Sequence, residues 1–192
     1  MAEIDLQFRL DMLPMLTSLP GGRKVVVDHM TDRQITETYA MVEKDASNGL
    51  GFAVDEYVTE EDFRDEVCEG FGFVVLSEDK SELISAFFII RSRFCRDGRA
   101  ADPIVIVRED QRGQKIGEFC SKLVMQFAPK LGFVCIYFDI FTNNKAMLHI
   151  VHKLEGLTRI GHLPYSGRLG DTGKAIGSDV FFYSFSNQSN NI

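Results

Sequence analysis

The segment from Val107 to Gly117, VREDQRGQKIG, contains the residue types that bind phosphate groups. A β-branched run leads into a polar loop with two glycines, and an amphipathic helix is predicted to begin at once. The first N–H groups of a helix lack partners and carry partial positive charge, and glycine lets a phosphate come close to that backbone. Arg112 and Lys115 add positive charge. The pattern favours a pyrophosphate site, with a connecting loop that carries two solvated cations as the alternative.

Two carboxylates interrupt predicted strands and are candidates for acid–base chemistry. Asp139 lies in an otherwise apolar strand, where alternation places it on one face with Tyr137 and Phe141. Asp102 begins the strand that leads into the glycine-containing loop. A lone acid in a buried strand is unfavourable unless it has a partner, so Asp139 is a candidate functional residue. The alternatives are an outward-facing or salt-bridged acid for Asp139 and a turn residue for Asp102.

The histidines and cysteines do not predict a metal site. His149 and His152 are spaced i, i+3 on a predicted helix, but no third ligand lies within reach in the sequence. The four cysteines form no C-x-x-C pair and lie in apolar or helical stretches. Reduced thiols of this kind are typical of a reducing compartment, so we expect a cytoplasmic protein.

Composition excludes several classes of protein. The 192 residues include 21 Lys and Arg against 28 Asp and Glu, a net charge of −7, which argues against a general nucleic-acid binder. No apolar run approaches the ~18 residues of a membrane span. The first residues carry acids and have no basic region, so we expect no signal peptide. The sequence does not decide between a monomer and a homodimer.

Hydrophobic periodicity predicts a mixed α/β sheet of six to seven strands with about four helices, in the α+β rather than the doubly wound arrangement. Two helices follow the first strand, capped at Thr31 and Thr59. The other two begin near Gly117 and after Asn144. Strands are predicted over 24–30, 71–77, 83–92, 133–141 and 179–186, and another follows the Asp97-Gly98 turn and ends at Val107. We expect an extension over 1–23, one domain over 24–186 and a disordered tail over 187–192.

The loop resembles a known motif. The run Arg112-Gly113-Gln114-Lys115-Ile116-Gly117 resembles the [QR]-x-x-G-x-[GA] acetyl-CoA motif of the GCN5-related N-acetyltransferases. Asn144 followed by Lys153-Leu154 resembles the second motif of that family, and the predicted order of elements is the family's order. The resemblance covers roughly residues 24–186.

The C-terminal half resembles one subgroup more closely. Asn143-Asn144, Gly161-His162-Leu163-Pro164, Gly167-Arg168-Leu169-Gly170 and a strand that ends in Tyr183-Ser184-Phe185 are similar to the fungal proline-analogue acetyltransferases. That subgroup acetylates the ring nitrogen of azetidine-2-carboxylate and related imino acids. The resemblance therefore implies a small amine or imino acid as the acceptor.

The resemblance also implies a site. Acetyl-CoA, the co-substrate, would lie in a V-shaped gap between two splayed strands, and an amine would attack the thioester directly. The implied cofactor contacts are Ile106, Val107, Arg112, Gly113, Gln114, Lys115, Ile116, Gly117 and Asn144. The implied catalytic residues are Asp139, Asp102 and Asn144, with the Val107 N–H donating to the oxyanion. The implied substrate contacts are Asn143, Phe141 and Arg168, of which Phe141 and Arg168 also fit structural roles.

Three positions depart from the family pattern. Lys115 stands where a central glycine is usual, and we expect its N–H to point at a phosphate if the residue is already helical. Val151 stands where many members have a tyrosine that protonates the CoA thiolate, and the neighbouring His152 could replace it or be a surface histidine. Glu155 stands where a glycine is usual.

The leading hypothesis is an acetyl-CoA-dependent N-acetyltransferase for a small amine or imino acid. An arylalkylamine or polyamine acetyltransferase is the alternative that the acidic balance favours, and a protein-lysine acetyltransferase would use that charge to attract basic tails. A non-catalytic acyl-CoA-binding module is the alternative from another class, because Val151 removes an acid.

Overall fold

The computed structural model describes residues 10–93, 96, 98–170 and 172–185. The predicted tail over 187–192 and the first nine residues of the predicted extension lie outside these ranges. No helix in the described part of the chain has the length and apolarity that crossing a bilayer would require.

The described residues form one mixed sheet with helices on both faces. The strands are β1 (Met15–Ser18), β2 (Lys24–His29), β3 (Phe71–Ser77), β4 (Leu83–Arg91), β5 (Ala100–Val107), β6 (Cys135–Phe141), β7 (Thr158–Leu169) and β8 (Lys174–Ser184). The helices are α1 (Asp32–Ser47), α2 (Glu60–Cys68), α3 (Ile116–Lys130) and α4 (Lys145–Val151). The sheet order is β1-β2-β3-β4-β5-β6-β8-β7, and only β5 and β6 pair in parallel. The predicted mixed α/β class is confirmed, with eight strands instead of six to seven.

The N-terminal boundary differs from the prediction. β1 lies inside the predicted extension over 1–23, but Met15 pairs with Val27 and Ser18 with Lys24, so this segment belongs to the sheet. The strand is short and follows a proline, and only its pairing with β2 identifies it. β7 and β8 form a long hairpin where the sequence predicts one late strand with another before it.

Polar caps fix where α1 and α2 begin. The Gln34 side chain accepts from the Thr31 N–H at 2.8 Å, which is one half of the predicted capping box. Thr59 and Asp62 form a complete box: the Thr59 N–H donates to the Asp62 carboxylate at 2.8 Å, and the Asp62 N–H donates to Oγ1 of Thr59 at 3.1 Å. The second box also fixes the C-terminal end of the segment 48–59, which connects α1 to α2.

Side chains alternate between two cores along the central strands. On one face, α3 and α4 cover a core that includes Phe87, Phe127 and Ile136. On the other face, α1 and α2 cover a core that includes Phe63 and Ile106. Each β5 or β6 side chain therefore belongs to one face or the other, and its position in the strand decides which.

Pairing between β5 and β6 ends almost as soon as it begins. The ladder is confined to Ala100 with Cys135 and Ala101 with Ile136, although both strands continue. Pro103 follows at once and has no N–H with which to extend the ladder. Beyond this point the two strands separate and leave one edge of β5 without a strand partner.

Candidate active site

The gap between β5 and β6 exposes backbone groups of alternate residues. The Ser92 N–H donates to the Ala100 carbonyl and the Arg108 N–H donates to the Ile84 carbonyl, so the even-numbered residues of β5 bond to β4. The odd-numbered residues direct their N–H and C=O groups towards β6. The N–H groups of Val105 and Val107 consequently face the gap.

This register corrects one predicted cofactor contact. Ile106 pairs with Ala86 of β4, and its carbonyl accepts the Ser85 hydroxyl at 2.6 Å. Its side chain is buried in the core beneath α1 and α2. The backbone of Ile106 therefore faces away from the gap, and Val105 takes its place beside the predicted Val107.

The loop between β5 and α3 is tied to the C-terminal end of α1. The Arg112 guanidinium pairs with Asp45, which is buried, and Arg112 Nε donates to the Val107 carbonyl at 3.1 Å. Lys44 adds an ion pair with Glu109, with 2.6 Å between Nζ and Oε2. The Arg112 side chain thus holds the loop in place. Its backbone N–H, the predicted phosphate contact, donates to the Glu109 carbonyl at 3.3 Å.

Lys115 has a left-handed backbone conformation, which glycine adopts at lower cost than other residues. Its φ and ψ are 61° and 20°, so it is the left-handed N-cap of α3, and the helical conformation on which its predicted phosphate contact depends is not present. Gly113 also has a positive φ, of 79°, and no atom lies within 4 Å of the place where its Cβ would be. The two residues turn the chain so that the first N–H groups of α3 remain open to the loop.

The other loop residues divide between exposed and packed positions. Gln114, Gly113 and Lys115 line an open pocket of about 320 Å³, together with residues that include Arg23. Ile116 is fully buried in the core beneath α3. A Cβ on Gly117 would lie 3.1 Å from Cδ1 of Ile150, so Gly117 allows α4 to approach α3. Only the backbone of Ile116 and Gly117 is therefore available to a ligand.

The two asparagines at the start of α4 have different partners. Nδ2 of Asn143 donates to the Gly49 carbonyl at 2.8 Å and so fastens the 48–59 segment to β6. Oδ1 of Asn144 accepts the Met147 N–H at 3.0 Å and caps α4. The Asn144 amide nitrogen points towards Gly51 and is left as a donor. The Asn144 side chain therefore keeps a donor for its predicted contact with the cofactor, whereas the Asn143 side chain positions the 48–59 segment.

The predicted candidate bases share one face of the sheet. Asp102 alternates with Ile104 and Ile106, and Asp139 with Phe141, all on the face that α1, α2 and the 48–59 segment cover. Asp102 is partly buried, and it has no hydrogen-bond or ion-pair partner among the described residues. Desolvation, followed by the negative charge of nearby carboxylates, raises its pKa to about 7. Desolvation also raises the pKa of Asp139, which is more exposed than Asp102, and the nearby Ser178 partly offsets this rise.

Two further carboxylates, which sequence reasoning missed, lie near these acids. Glu56 is in the 48–59 segment, and its Oε2 accepts the Ala53 N–H at 3.1 Å. Although Glu56 is exposed as a residue, the protein around its carboxylate and the charges of Asp139 and Glu66 raise its pKa to about 7. Glu66 of α2 pairs with Arg93. No periodicity marks a loop acid, so only the fold brings Glu56 to the site.

Both remaining predicted substrate contacts adjoin the 48–59 segment. Phe141 is buried with Ala53 in a small apolar cluster. The Arg168 carbonyl accepts the Val54 N–H at 3.0 Å. The Arg168 N–H donates to the Asp55 carboxylate at 3.3 Å, and Nε of Arg168 lies 4.0 Å from that carboxylate. These contacts bind the segment to β7 and leave Arg168 facing a carboxylate.

The position at which the family resemblance implies a proton donor for the CoA thiolate is apolar in this chain. Val151 is fully buried in the core beneath α3 and α4. His152 is exposed at the end of α4 and meets the ring of Phe181 edge-on, with 5.4 Å between centroids. Phe181 belongs to the core beneath α3 and α4, so His152 lies on the opposite face of the sheet from Asp102 and Asp139.

The fold is shared with solved N-acetyltransferases, although no family model matches the chain. A GCN5-related N-acetyltransferase from Kribbella flavida has a TM-score of 0.71 at 19% identity, over 83% of this chain and 97% of that one. Spermidine N-acetyltransferase from Vibrio cholerae, in complex with CoA and spermine, has a TM-score of 0.67 at 14% identity, over 86% and 98%. Ribosomal-protein-alanine N-acetyltransferase from Brucella melitensis has a TM-score of 0.68 at 17% identity, over 82% and 98%. The fold that the resemblance implied is confirmed, and the fungal subgroup stays a prediction.

The left-handed backbone at Lys115 predicts a stabilising substitution. A residue with a Cβ costs about 1–2 kcal/mol in this conformation, and glycine avoids most of that cost. We expect Lys115→Gly to be about 1 kcal/mol more stable than Lys115→Ala in urea unfolding, because both variants lose the side chain and only alanine keeps the strain. Equal stability of the two variants would show that position 115 is not left-handed in solution.

Proposed function

We propose that the protein is an acetyl-CoA-dependent N-acetyltransferase that acetylates a small-molecule amine or imino acid. The observation that carries this proposal is the gap between β5 and β6. It opens beside the N-terminus of α3, in a fold shared with an acetyltransferase solved with CoA. The gap supplies backbone donors for an extended ligand, and the loop supplies open N–H groups for a pyrophosphate.

The residues present fit acetyl-CoA. The N–H groups of Val105 and Val107 can pair with the amides of a pantetheine arm as an added strand would. The loop from Gly113 to Gly117 can hold the pyrophosphate through its backbone, with the unpaired charge of Lys115 beside it. The co-substrate supplies the activated acetyl group. The remaining chemistry is deprotonation of the acceptor and stabilisation of charge on the thioester oxygen.

Asp102 is the base that the geometry favours. The amine nitrogen forms the new C–N bond, the C–S bond breaks, and the amine proton passes to a carboxylate directly or through one water. A base works best when its pKa lies near the operating pH, and the raised pKa of Asp102 meets this condition. Asp139, on the same face, is the second candidate.

The backbone would stabilise the charge on the thioester oxygen, and the solvent would protonate the leaving thiolate. The Val107 N–H points into the gap, where it can donate to negative charge that develops on the thioester oxygen. The buried Val151 cannot donate a proton, so the departing thiolate takes its proton from water. A non-catalytic acyl-CoA-binding module is the second candidate, and Val151 is the observation that favours it. Release of CoA thiol with a panel of amines separates the two functions.

Binding of CoA at the loop can be tested with a matched pair of variants. Gly113 and Gly132 both have positive φ and open space around the Cβ position, but Gly132 lies at the far end of α3. We expect Gly113→Asp to weaken CoA binding more than about tenfold in calorimetry, because it places a carboxylate against the pyrophosphate. Gly132→Asp should bind CoA as the wild type does. Equal binding by both variants would refute the loop assignment.

Removal of the proposed base should lower activity and abolish a pH dependence. We expect kcat/KM of the wild type to fall below pH 7 as Asp102 takes up a proton. Asp102→Asn should lower kcat/KM by about 10²-fold or more without changing CoA affinity. Asp139→Asn is the comparison. If it loses the activity and Asp102→Asn does not, the base is Asp139.

The same substitution should raise stability in alkaline solution. The folded pKa of Asp102 lies above its unfolded value, so the folded state loses stability as the pH rises from about 4 to 7. Asp102→Asn removes that loss and should raise the free energy of unfolding by more than about 1 kcal/mol at pH 8, with little gain at pH 4. A gain that does not change with pH would show that Asp102 is not desolvated.

His152 should not act as the acid. It lies on the face opposite the carboxylates, so we expect His152→Ala to lower kcat by less than about threefold, whereas loss of a general acid typically costs 10²–10⁴-fold. Stopped-flow measurement of thiol release would detect the difference. A loss in the larger range would assign His152 the role that Val151 cannot fill.

A further inference from the structure

The face of the sheet that carries Asp102 and Asp139, where the acceptor amine would bind, holds more carboxylates than the one that a catalytic base requires. Glu56, Asp102, Asp139 and Glu66 lie close enough to act on one another electrostatically. Arg93 neutralises Glu66 by pairing with it, and Arg168 faces Asp55. The carboxylates of Glu56, Asp102 and Asp139 therefore remain without a cationic partner among the described residues.

One of these carboxylates points independently to a cationic ligand. Asp102 is desolvated on the strand where pairing has just ended, yet it accepts no hydrogen bond from any described residue. A desolvated carboxylate without a partner costs folding free energy. A positively charged acceptor would supply the missing partner.

The spacing of the acids favours an extended cation. Among the described residues, no three His, Cys, Asp or Glu side chains are placed to hold one metal ion. Ala101 is level with Ile136, so Asp139 lies two residues further along the gap than Asp102. At about 3.3 Å per residue this is a separation of roughly 7 Å along the strands. Two ammonium groups joined by several methylenes match such a separation better than a compact ion.

We infer, on the basis of the proposed function, that the acceptor is an α,ω-diamine or longer polyamine, with Glu56 and Asp139 binding the distal ammonium while the near amine reacts beside Asp102. A cyclic imino acid fits this surface poorly, because its carboxylate would meet the like charges of Glu56, Asp102 and Asp139. Glu56 is the specificity-determining residue. Its segment is fastened to β6 and β7 through Asn143 and Arg168, so its carboxylate is held in place.

The test compares kcat/KM for diaminobutane, butylamine and azetidine-2-carboxylate. Diaminobutane and butylamine have the same chain length and differ in the second ammonium. We expect the wild type to prefer diaminobutane over butylamine by about tenfold or more, which corresponds to about 1.4 kcal/mol. Glu56→Gln keeps an oxygen for the Ala53 N–H and should lower this preference by about tenfold. Glu78→Gln, the same charge change on the exposed β3–β4 turn, should leave the preference intact.

The outcomes separate this inference from the proposed function. Turnover of butylamine with no preference for diaminobutane, or a preference for azetidine-2-carboxylate, would overturn the diamine inference and leave the acetyltransferase in place. A preference that survives Glu56→Gln would also overturn the role of Glu56. No thiol release with any of the three amines and no binding of CoA would overturn both proposals.

Discussion

β5 and β6 pair only through Ala100 and Ala101, and the geometry of the candidate site follows from that short ladder. Pro103 has no N–H with which to continue the pairing, so the strands separate while both remain anchored in the sheet by β4 and β8. A parallel pair normally hides its backbone groups, and here the N–H groups of Val105 and Val107 face a gap. The gap ends at the N-terminus of α3, so strand-like and helix-terminal donors form one continuous surface for an extended anionic ligand.

Local sequence signals predicted the elements that depend on local chemistry. Thr31 and Thr59 begin helices because each has an acceptor side chain three residues later, and the apolar stripe of α3 lies on the core as predicted. β1 was missed because four residues after a proline carry almost no periodicity, and their partner strand decides their structure. The class of the fold was predictable, whereas its N-terminal edge was not.

The candidate site was predictable only in outline. The sequence does not show which residues of β5 bond to β4, so it predicts Ile106 as a cofactor contact. The register of the ladder shows that the backbone of Ile106 bonds to β4 instead. The sequence predicts that Arg112 adds positive charge at a phosphate site, but its guanidinium pairs with Asp45, 67 positions away in the chain. Glu56 was missed because a loop acid has no pattern. Each error concerns a contact between distant segments, which the spacing of residues cannot reveal.

The acidic surface also explains why the 48–59 segment needs so many attachments. Like charges at Glu56, Asp102 and Asp139 repel, and this repulsion would push a loose segment away from the sheet. Three links oppose it: Asn143 to Gly49, the Val54 N–H to the carbonyl of Arg168, and the Arg168 N–H to the Asp55 carboxylate. A fixed segment keeps the carboxylates desolvated, and desolvation is what raises the pKa of Asp102 towards neutrality. The stability lost at these acids and the reactivity proposed for them thus have the same physical origin.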